Sequence, residues 1–299
     1  MNYFKLLVFS KLCEYQKGAI VAKELDITPS TVSFHIQSLE KELGLQLFYR
    51  KSGHFILTKQ GKVVQRYAQR IVHLHEELTY FAKSSQQGNR GMFRLGVSDL
   101  ANQIFLPEII HAFSTQYPQI RLSVVSDTSP KIEELLASFQ LDFGILIGSP
   151  QKHPDLIYEK LGTDQLKLVF GNTHPFNQKK TITKADILNQ AILFHKKQSS
   201  SKSILEQWLD YSIKELNGIE LDSVTTMKKV LEYGQTIAFI SEFLIQEEIL
   251  THALCSKELN DIPLSRTIYL VKNKATIDDT INRNFRQLLN KITTKHFHI

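Results

Sequence analysis

The run Thr28-Pro29-Ser30-Thr31 narrows what this chain can fold into more than any other part of it. A hydroxyl residue followed by proline starts a helix: Thr28 caps free amides, and Pro29 takes the first helical position, where its missing N–H costs nothing. The residues that follow sort by period, with Val32, Ile36, Leu39 and Leu43 on one face and Thr31, Ser33, Phe34, His35, Gln37 and Ser38 on the others. Just upstream, after Gly18, Ala19 to Leu25 makes a short helix ending near Asp26, and Phe4, Leu7, Val8, Leu12 and Tyr15 mark an earlier one. Two short helices tightly joined, the second capped and bearing small polar side chains, match a helix-turn-helix. The plainer alternative is a three-helix packing unit of no special purpose. On the first reading Thr28, Ser30, Thr31, Ser33, Phe34, His35 and Gln37 face a DNA groove, and Phe34 either touches a thymine methyl or packs on the neighbouring helix.

Beyond Gly44, residues 47–57 read as two short strands around a glycine-bearing turn, a wing with Arg50, Lys51 and His54 at its tip for phosphates or a narrow minor groove. From Thr58 a long helix runs to about Gln87, and Val64, Tyr67, Ile71, Leu74, Leu78 and Phe81 alternate spacings of three and four. A single head cannot bury such a heptad seam, so it pairs with a second copy or packs on the rest of the chain. Residues 84–91 are polar and glycine-bearing, a hinge.

Charge follows the same division. Residues 1–90 hold 13 Lys and Arg against 7 Asp and Glu, whereas residues 91–299 hold 23 of each, so the whole net charge of +6 sits on the first third. That is the footprint of a nucleic-acid-binding head on a differently employed body, or a chance excess on a solvated face. With 42% hydrophobic residues and 8 prolines in 299 residues, disordered and collagen-like chains are excluded. An opening broken by Lys5 and Lys11, without a cleavage site, and the lack of a long apolar run point to the cytoplasm. Cys13 and Cys255 form no CxxC pair, so neither a disulfide framework nor a zinc site is expected.

Strands at Phe93–Val97, Leu122–Val125, Phe143–Ile147, Leu166–Phe170, Ile192–Phe194, Thr236–Ile240 and Ile268–Val271 alternate with helical patterns, which suggests mainly parallel sheets with crossover helices.

These residues carry a resemblance. Val21 to Phe48, VAKELDITPSTVSFHIQSLEKELGLQLF, followed by Arg50 and Leu57-Thr58-Lys59-Gln60-Gly61, resembles the N-terminal signature of LysR-type transcriptional regulators. Arg94 to Ser98, Leu106-Pro107, Phe113 with Tyr117-Pro118, Leu141 to Ile145, His174-Pro175 and Gly234 to Ala238 fall in that family's order. Two departures stand out: Phe34 where a basic or amide residue is common, and Gly18 where an aromatic packs, with Ile20 to compensate. The resemblance implies an α/β protein with a winged helix-turn-helix (1–58), a linker and dimerisation helix with hinge (59–90) and an effector-binding domain (91–299) similar to type 2 periplasmic binding proteins. Its lobes would be about 91–162 with 266–299, and about 163–265. Implied partners are duplex DNA bearing an inverted repeat, a second copy in a dimer or tetramer, and a small-molecule effector, with RNA polymerase as a further partner open to such a regulator. A solute-binding module, or an assembly domain that senses nothing, is the competing reading.

In clefts of that kind ligands meet loops after strands and helix N-termini, which favour anions. Ser98, Asp99, Asn102, Thr128, Ser129, His195, Ser199, Ser200, Ser201 and Thr225 fall at such places. Asp99 argues against a simple dicarboxylate. No GxSxG, HExxH or Walker loop occurs, His73 and His75 do not share a helix face, Trp208 reads as core and His296 and His298 as a frayed end. No enzyme, metal or cofactor is expected.

Overall fold

The computed structural model describes residues 1–87, 92–148, 150, 152–195, 200–209, 218–259 and 264–297. Their contacts form two units. One comprises Met1–Arg94, Gln119–Leu122 and Glu134–Asp142, and the other Leu95–Pro118, Ser123–Glu133 and Phe143–Ile299.

The first unit starts with α1 (Tyr3–Tyr15), α2 (Gly18–Glu24) and α3 (Pro29–Leu43), followed by a hairpin of β1 (Phe48–Lys51) and β2 (His54–Leu57) and by α4 (Lys59–Gln87). Side-chain caps open the helices: Asn2 accepts from the Lys5 amide at 3.0 Å, Thr28 from Thr31 at 3.2 Å and Thr58 from Gly61 at 2.8 Å. Val8, Phe9, Leu12, Val32, Leu39 and Leu47 are wholly buried between the three helices and the hairpin. Ser52 (φ 50°) and Gly53 (φ 77°) are both left-handed, as a two-residue hairpin turn requires. The place expected to be filled by Ile20 is filled by Phe55, whose ring lies 3.4 Å from where a Gly18 Cβ would stand, while Ile20 is exposed. Within the same unit the buried His73 of α4 stacks on Phe139, and its Nδ1 lies 2.7 Å from the Arg94 guanidinium, which also meets Asp142 at 3.2 Å.

The second unit is built on one sheet. In chain order its elements are β3 (Met92–Ser98), α5 (Asp99–Gln116), β4 (Arg121–Asp127), α6 (Ser129–Ala137), β5 (Phe143–Ile147) and β6 (Leu156–Gly171), with the first residues of β3 and β4 and the last turn of α6 counted in the first unit. Then come α7 (Lys184–Leu188), β7 (Ala191–His195), α8 (Ser200–Leu209), β8 (Gly218–Leu221), α9 (Val224–Leu231) and β9 (Thr236–Ser241). The unit closes with α10 (Gln246–Leu250), β10 (Leu254–Lys257), β11 (Ser265–Asn273) and α11 (Thr280–Phe297). Strand order is β4-β3-β5-β11-β6-β9-β7-β8, with β10 on β6.

Three expectations are corrected here. The sheet is mixed: β3 with β5 and β7 with β8 and β9 are parallel, but β11 with β5 and β6, and β6 with β9 and β10, are antiparallel. The reason is that two long strands, β6 and β11, run side by side through the middle. The first half of β6 is not legible in the sequence because Tyr158, Glu159 and Lys160 interrupt its apolar pattern. The last helix includes Phe297, whose ring comes within 2.5 Å of where a Gly162 Cβ would be, so that a side chain at 162 would have to displace that ring. His296, expected to fray, has Nε2 3.1 Å from Glu108 and its ring against Phe105.

Asp164 and Arg266 face each other across β6 and β11. Arg266 Nε donates to Asp164 Oδ2 at 2.9 Å, and Ser241 Oγ donates to Oδ1 at 2.5 Å. Both charges are buried, so Asp164→Asn leaves a guanidinium without its counter-charge. Urea unfolding should show a loss of about 3–5 kcal/mol. Replacing both residues by apolar ones of similar volume should recover most of it.

Candidate nucleic-acid interface and ligand cleft

The burial of α3 follows its sequence period. Val32, Ile36 and Leu39 turn inward, leaving Thr28, Ser30, Phe34 and Gln37 exposed and Thr31 and Ser33 half-buried. Phe34 is 63% exposed, and its ring meets the edge of His35 at 5.6 Å between ring centres. His35 is the exception among the proposed groove residues. Its ring packs edge-on against Phe4 of α1 at 5.1 Å and its Nδ1 is buried without a partner, so the residue belongs largely to helix packing.

At the wing, Ser52 and Gly53 form the tip, correcting the expectation that Arg50, Lys51 and His54 would. Lys51 and His54 flank the turn, and Arg50 lies one rung further in, opposite Phe55. Its guanidinium lies over the Phe55 ring at 4.6 Å and donates to Ser33 Oγ at 3.1 Å. Arg50 therefore ties the wing to α3, and the positive charge is held beside the polar row of that helix.

Helix α4 carries two apolar faces. Ala68 and Val72 are buried, with Val64 partly so, in the core that α1 shares, and His75 stacks on Tyr3 at 3.7 Å. The other face is bare: Tyr67 and Leu78 are each 66% exposed, and Ile71 and Leu74 are exposed between them. Of the six seam residues, Val64 is thus half committed to the head, and the Phe81 side chain lies outside the described residues. Cys13 sits in the head as well. Burial pushes its thiol well above the usual range, which makes it a packing residue and a poor nucleophile.

The second unit holds a cleft of about 940 Å³, open mouth included. Strand ends and helix starts supply its polar groups: Ser98 at the end of β3 with Asp99 opening α5, Thr128 and Ser129 at the start of α6, His195 at the end of β7, and Ser201 in α8. Asn102 and Thr225 do not line it. The helical turn that exposes Asp99 puts Gln103 rather than Asn102 on the cleft side, and α9 offers Val224 and Met227 while Thr225 is exposed. Ser199 and the side chain of Ser200 lie outside the described residues. Lys202 of α8, which the sequence places with Ser199 to Ser201 in a helix-start anion cradle, does line the cleft; not legible in the sequence were Arg266 and Ser241, which reach it from β11 and β9, and a wall that includes Phe194, Leu205 and Phe239. Phe194 and Phe239 were legible as strand residues, but which face would meet a ligand depends on the packing of α8.

Ser98 Oγ and His195 Nδ1 are buried and make no hydrogen bond. Arg266 Nη1 donates to Ser201 Oγ at 2.8 Å, and Lys202 pairs with Glu220 at 2.9 Å. Burial pulls the Arg266 guanidinium below its ordinary value, and the Asp164 carboxylate opposes that shift. Among the described residues no group of three or more His, Cys, Asp or Glu could hold a metal ion, and no helix is long and apolar enough to cross a membrane.

A capped helix-turn-helix with a hairpin beside it, followed by a mixed sheet with a cleft at its strand ends, defines the class. Residues 4–62 match the bacterial regulatory helix-turn-helix proteins of the lysR family, and residues 86–292 match the LysR substrate binding domain. The chain belongs to the LysR family of DNA-binding transcriptional regulators. It is 30% identical over 280 residues to the HTH-type transcriptional regulator YwqM of Bacillus subtilis, covering 92% of this chain and 94% of that one. Among solved structures it is similar to ArgP from Mycobacterium tuberculosis (TM-score 0.75, 17% identity, 97% and 96% of the two chains). It is also similar in fold to CbnR complexed with its target DNA (TM-score 0.62, 18% identity, 98% and 100%).

The exposure of Phe34 separates its two roles. Phe34→Ala should change unfolding free energy by no more than about 0.5 kcal/mol, while affinity for a duplex selected from random sequence falls roughly fivefold, about 1 kcal/mol. Lost stability with unchanged binding would make the ring a packing residue.

Proposed function

We propose that the chain is a cytoplasmic regulator, with no catalytic step of its own, that binds an inverted-repeat operator as a dimer and answers to a small molecule held in the cleft. The outward face of α3 carries the DNA reading: Ser30, Thr31, Ser33, Phe34 and Gln37 meet base edges, while Arg50, Lys51 and His54 meet phosphates. All the excess positive charge of the sequence lies in residues 1–90, the segment that carries this face. Each phosphate neutralised releases counterions, so log affinity should fall with log salt by roughly 0.9 per contact. Titrating the full-length protein with labelled duplex at several salt concentrations tests this; a flat response would sink it. Arg50→Ala should weaken all sequences alike, with Ser33→Ala relaxing sequence preference.

Dimerisation uses the bare face of α4. Tyr67, Ile71, Leu74 and Leu78 form an apolar stripe that nothing in the described chain covers, and a partner helix would bury it. Two heads on a two-fold axis then read half-sites one or more helical turns apart, and further association through residues 91–299 would give a tetramer able to meet RNA polymerase. Replacing Ile71 and Leu78 by Lys should reduce the solution mass and abolish tight operator binding. An unchanged mass and footprint would rule the stripe out.

For the cleft, the supporting observation is that Ser98 Oγ and His195 Nδ1, from different strand ends, are buried without partners at its wall. An unpaired buried polar atom is costly, and a bound ligand is what would satisfy both.

A further inference from the structure

Helix α3, the wing and helix α4 meet at residues 46–48, and the hydrogen bonds there run in two directions. Four amides end on one residue of α3. The Glu40 carbonyl accepts from Gly44 and, at 3.1 Å, from Leu45, which closes the helix at the left-handed Gly44. Its side chain reaches past the turn, where Oε1 accepts from the Leu47 amide at 2.7 Å and from the Phe48 amide at 3.1 Å. A carboxylate makes such bonds stronger than a neutral acceptor would.

The carbonyls of the same segment go to α4. Gln46 O accepts from Thr58 Oγ1 at 2.7 Å, and Leu47 O accepts from the Thr58 amide at 2.9 Å. The first turn of α4 lies so close that a Cβ on Gly61 would stand 2.2 Å from Leu47 O, and a side chain there would force the two backbones apart. Glu40 and Thr58 therefore hold the same short segment, one from each helix. The apolar core that α1 shares with both helices keeps them together, but apolar contact has no direction. The angle between α3 and α4 is left to the directional bonds at this joint.

That angle matters once two heads pair. With α4 as the shared element, the tilt of α3 against it decides how far apart, and at what relative rotation, two copies of α3 meet the duplex. One base pair added between half-sites shifts them by about 3.4 Å and about a tenth of a turn. We propose that Glu40 is a positioning residue for operator reading: acting through α3 rather than by touching a base, it fixes the tilt of that helix against α4 and so determines which half-site spacing the dimer accepts. This assignment rests on the reading of α3 as the base-reading helix and of α4 as the pairing face.

The test uses the full-length protein, a half-site selected from random sequence, duplexes carrying it as an inverted repeat with spacers varied one base pair at a time, and a duplex with a single half-site. Wild type should prefer its best spacer over the neighbouring ones by roughly tenfold or more. Glu40→Ala leaves two amides without their acceptor and should cut that preference to roughly threefold or less. Its discrimination between the single half-site and a scrambled one should stay within about twofold of wild type. Glu40→Gln loses the same charge but keeps an acceptor oxygen, so it should hold the wild-type spacing preference within about twofold. An unchanged preference in folded E40A overturns the assignment; if E40A does not fold, Thr58→Val, which loses the bond to Gln46 from the α4 side, decides in the same way. An equal loss at every spacer and at the single half-site makes Glu40 a stability residue only and overturns it too. So does E40Q matching E40A, which would make the effect one of charge. A wild type that recognises the half-site but ignores spacing overturns the pairing through α4, and this assignment with it.

Discussion

The buried pair between Asp164 and Arg266 is the interaction on which the second unit depends. It joins β6 to β11, the two long strands that run side by side through the sheet, and it draws in Ser241 from the end of β9 and Ser201 from α8. Such a pair adds little net stability, since removing two charges from water costs about as much as their attraction returns. Its effect is positional. With Asp164 fully buried, a register slip between β6 and β11 would strand both charges, so the pair selects one register and with it the place where the strand ends meet.

Around that pair the sheet divides its apolar side chains by the two-residue period of the strands. Leu168, Phe170, Ile192, Phe194, Ile237 and Phe239 face one layer with Leu205 and Trp208 of α8, while Val169, Leu193, Ala238 and Ile240 face the other with Met227 and Leu231 of α9. Helices packed on both faces leave the carboxyl ends of β3 and β7 open, and ligands of α/β sheets bind at such strand ends. Ser98 and His195 are each the last residue of their strand, so the feature that terminates the ladder also delivers a polar atom to the cleft.

The head works by a different division. One face of α3 and one face of α4 are spent on a single small core, which leaves the opposite face of each helix uncovered. On α3 that face is polar with one aromatic ring, as suits base edges; on α4 it is aliphatic with one tyrosine, as suits another helix. Arg50 couples the wing to the first of these through Ser33, so the phosphate-facing hairpin and the base-facing helix are held together as one surface.

Local chemistry made much of this legible. The caps at Thr28 and Thr58, the stripe from Val32 to Leu39 and the glycine turn of the wing depend on neighbours within a few residues, and periodicity reports them directly. The same holds for the strand Phe143–Ile147 and for the polar strand ends at Ser98, Thr128 and His195. What sequence alone could not settle depends on partners far along the chain. Arg266 and Asp164 are 102 positions apart, and nothing around either residue announces that they pair. Whether His35 points to a groove or to Phe4, whether Asn102 or Gln103 faces the cleft, and whether Ile20 or Phe55 fills the space beside Gly18 are choices made by packing. A helix or strand pattern says which residues share a face; only the tertiary structure decides what that face meets, because burial and ion pairing are set by groups that the chain brings together from a distance.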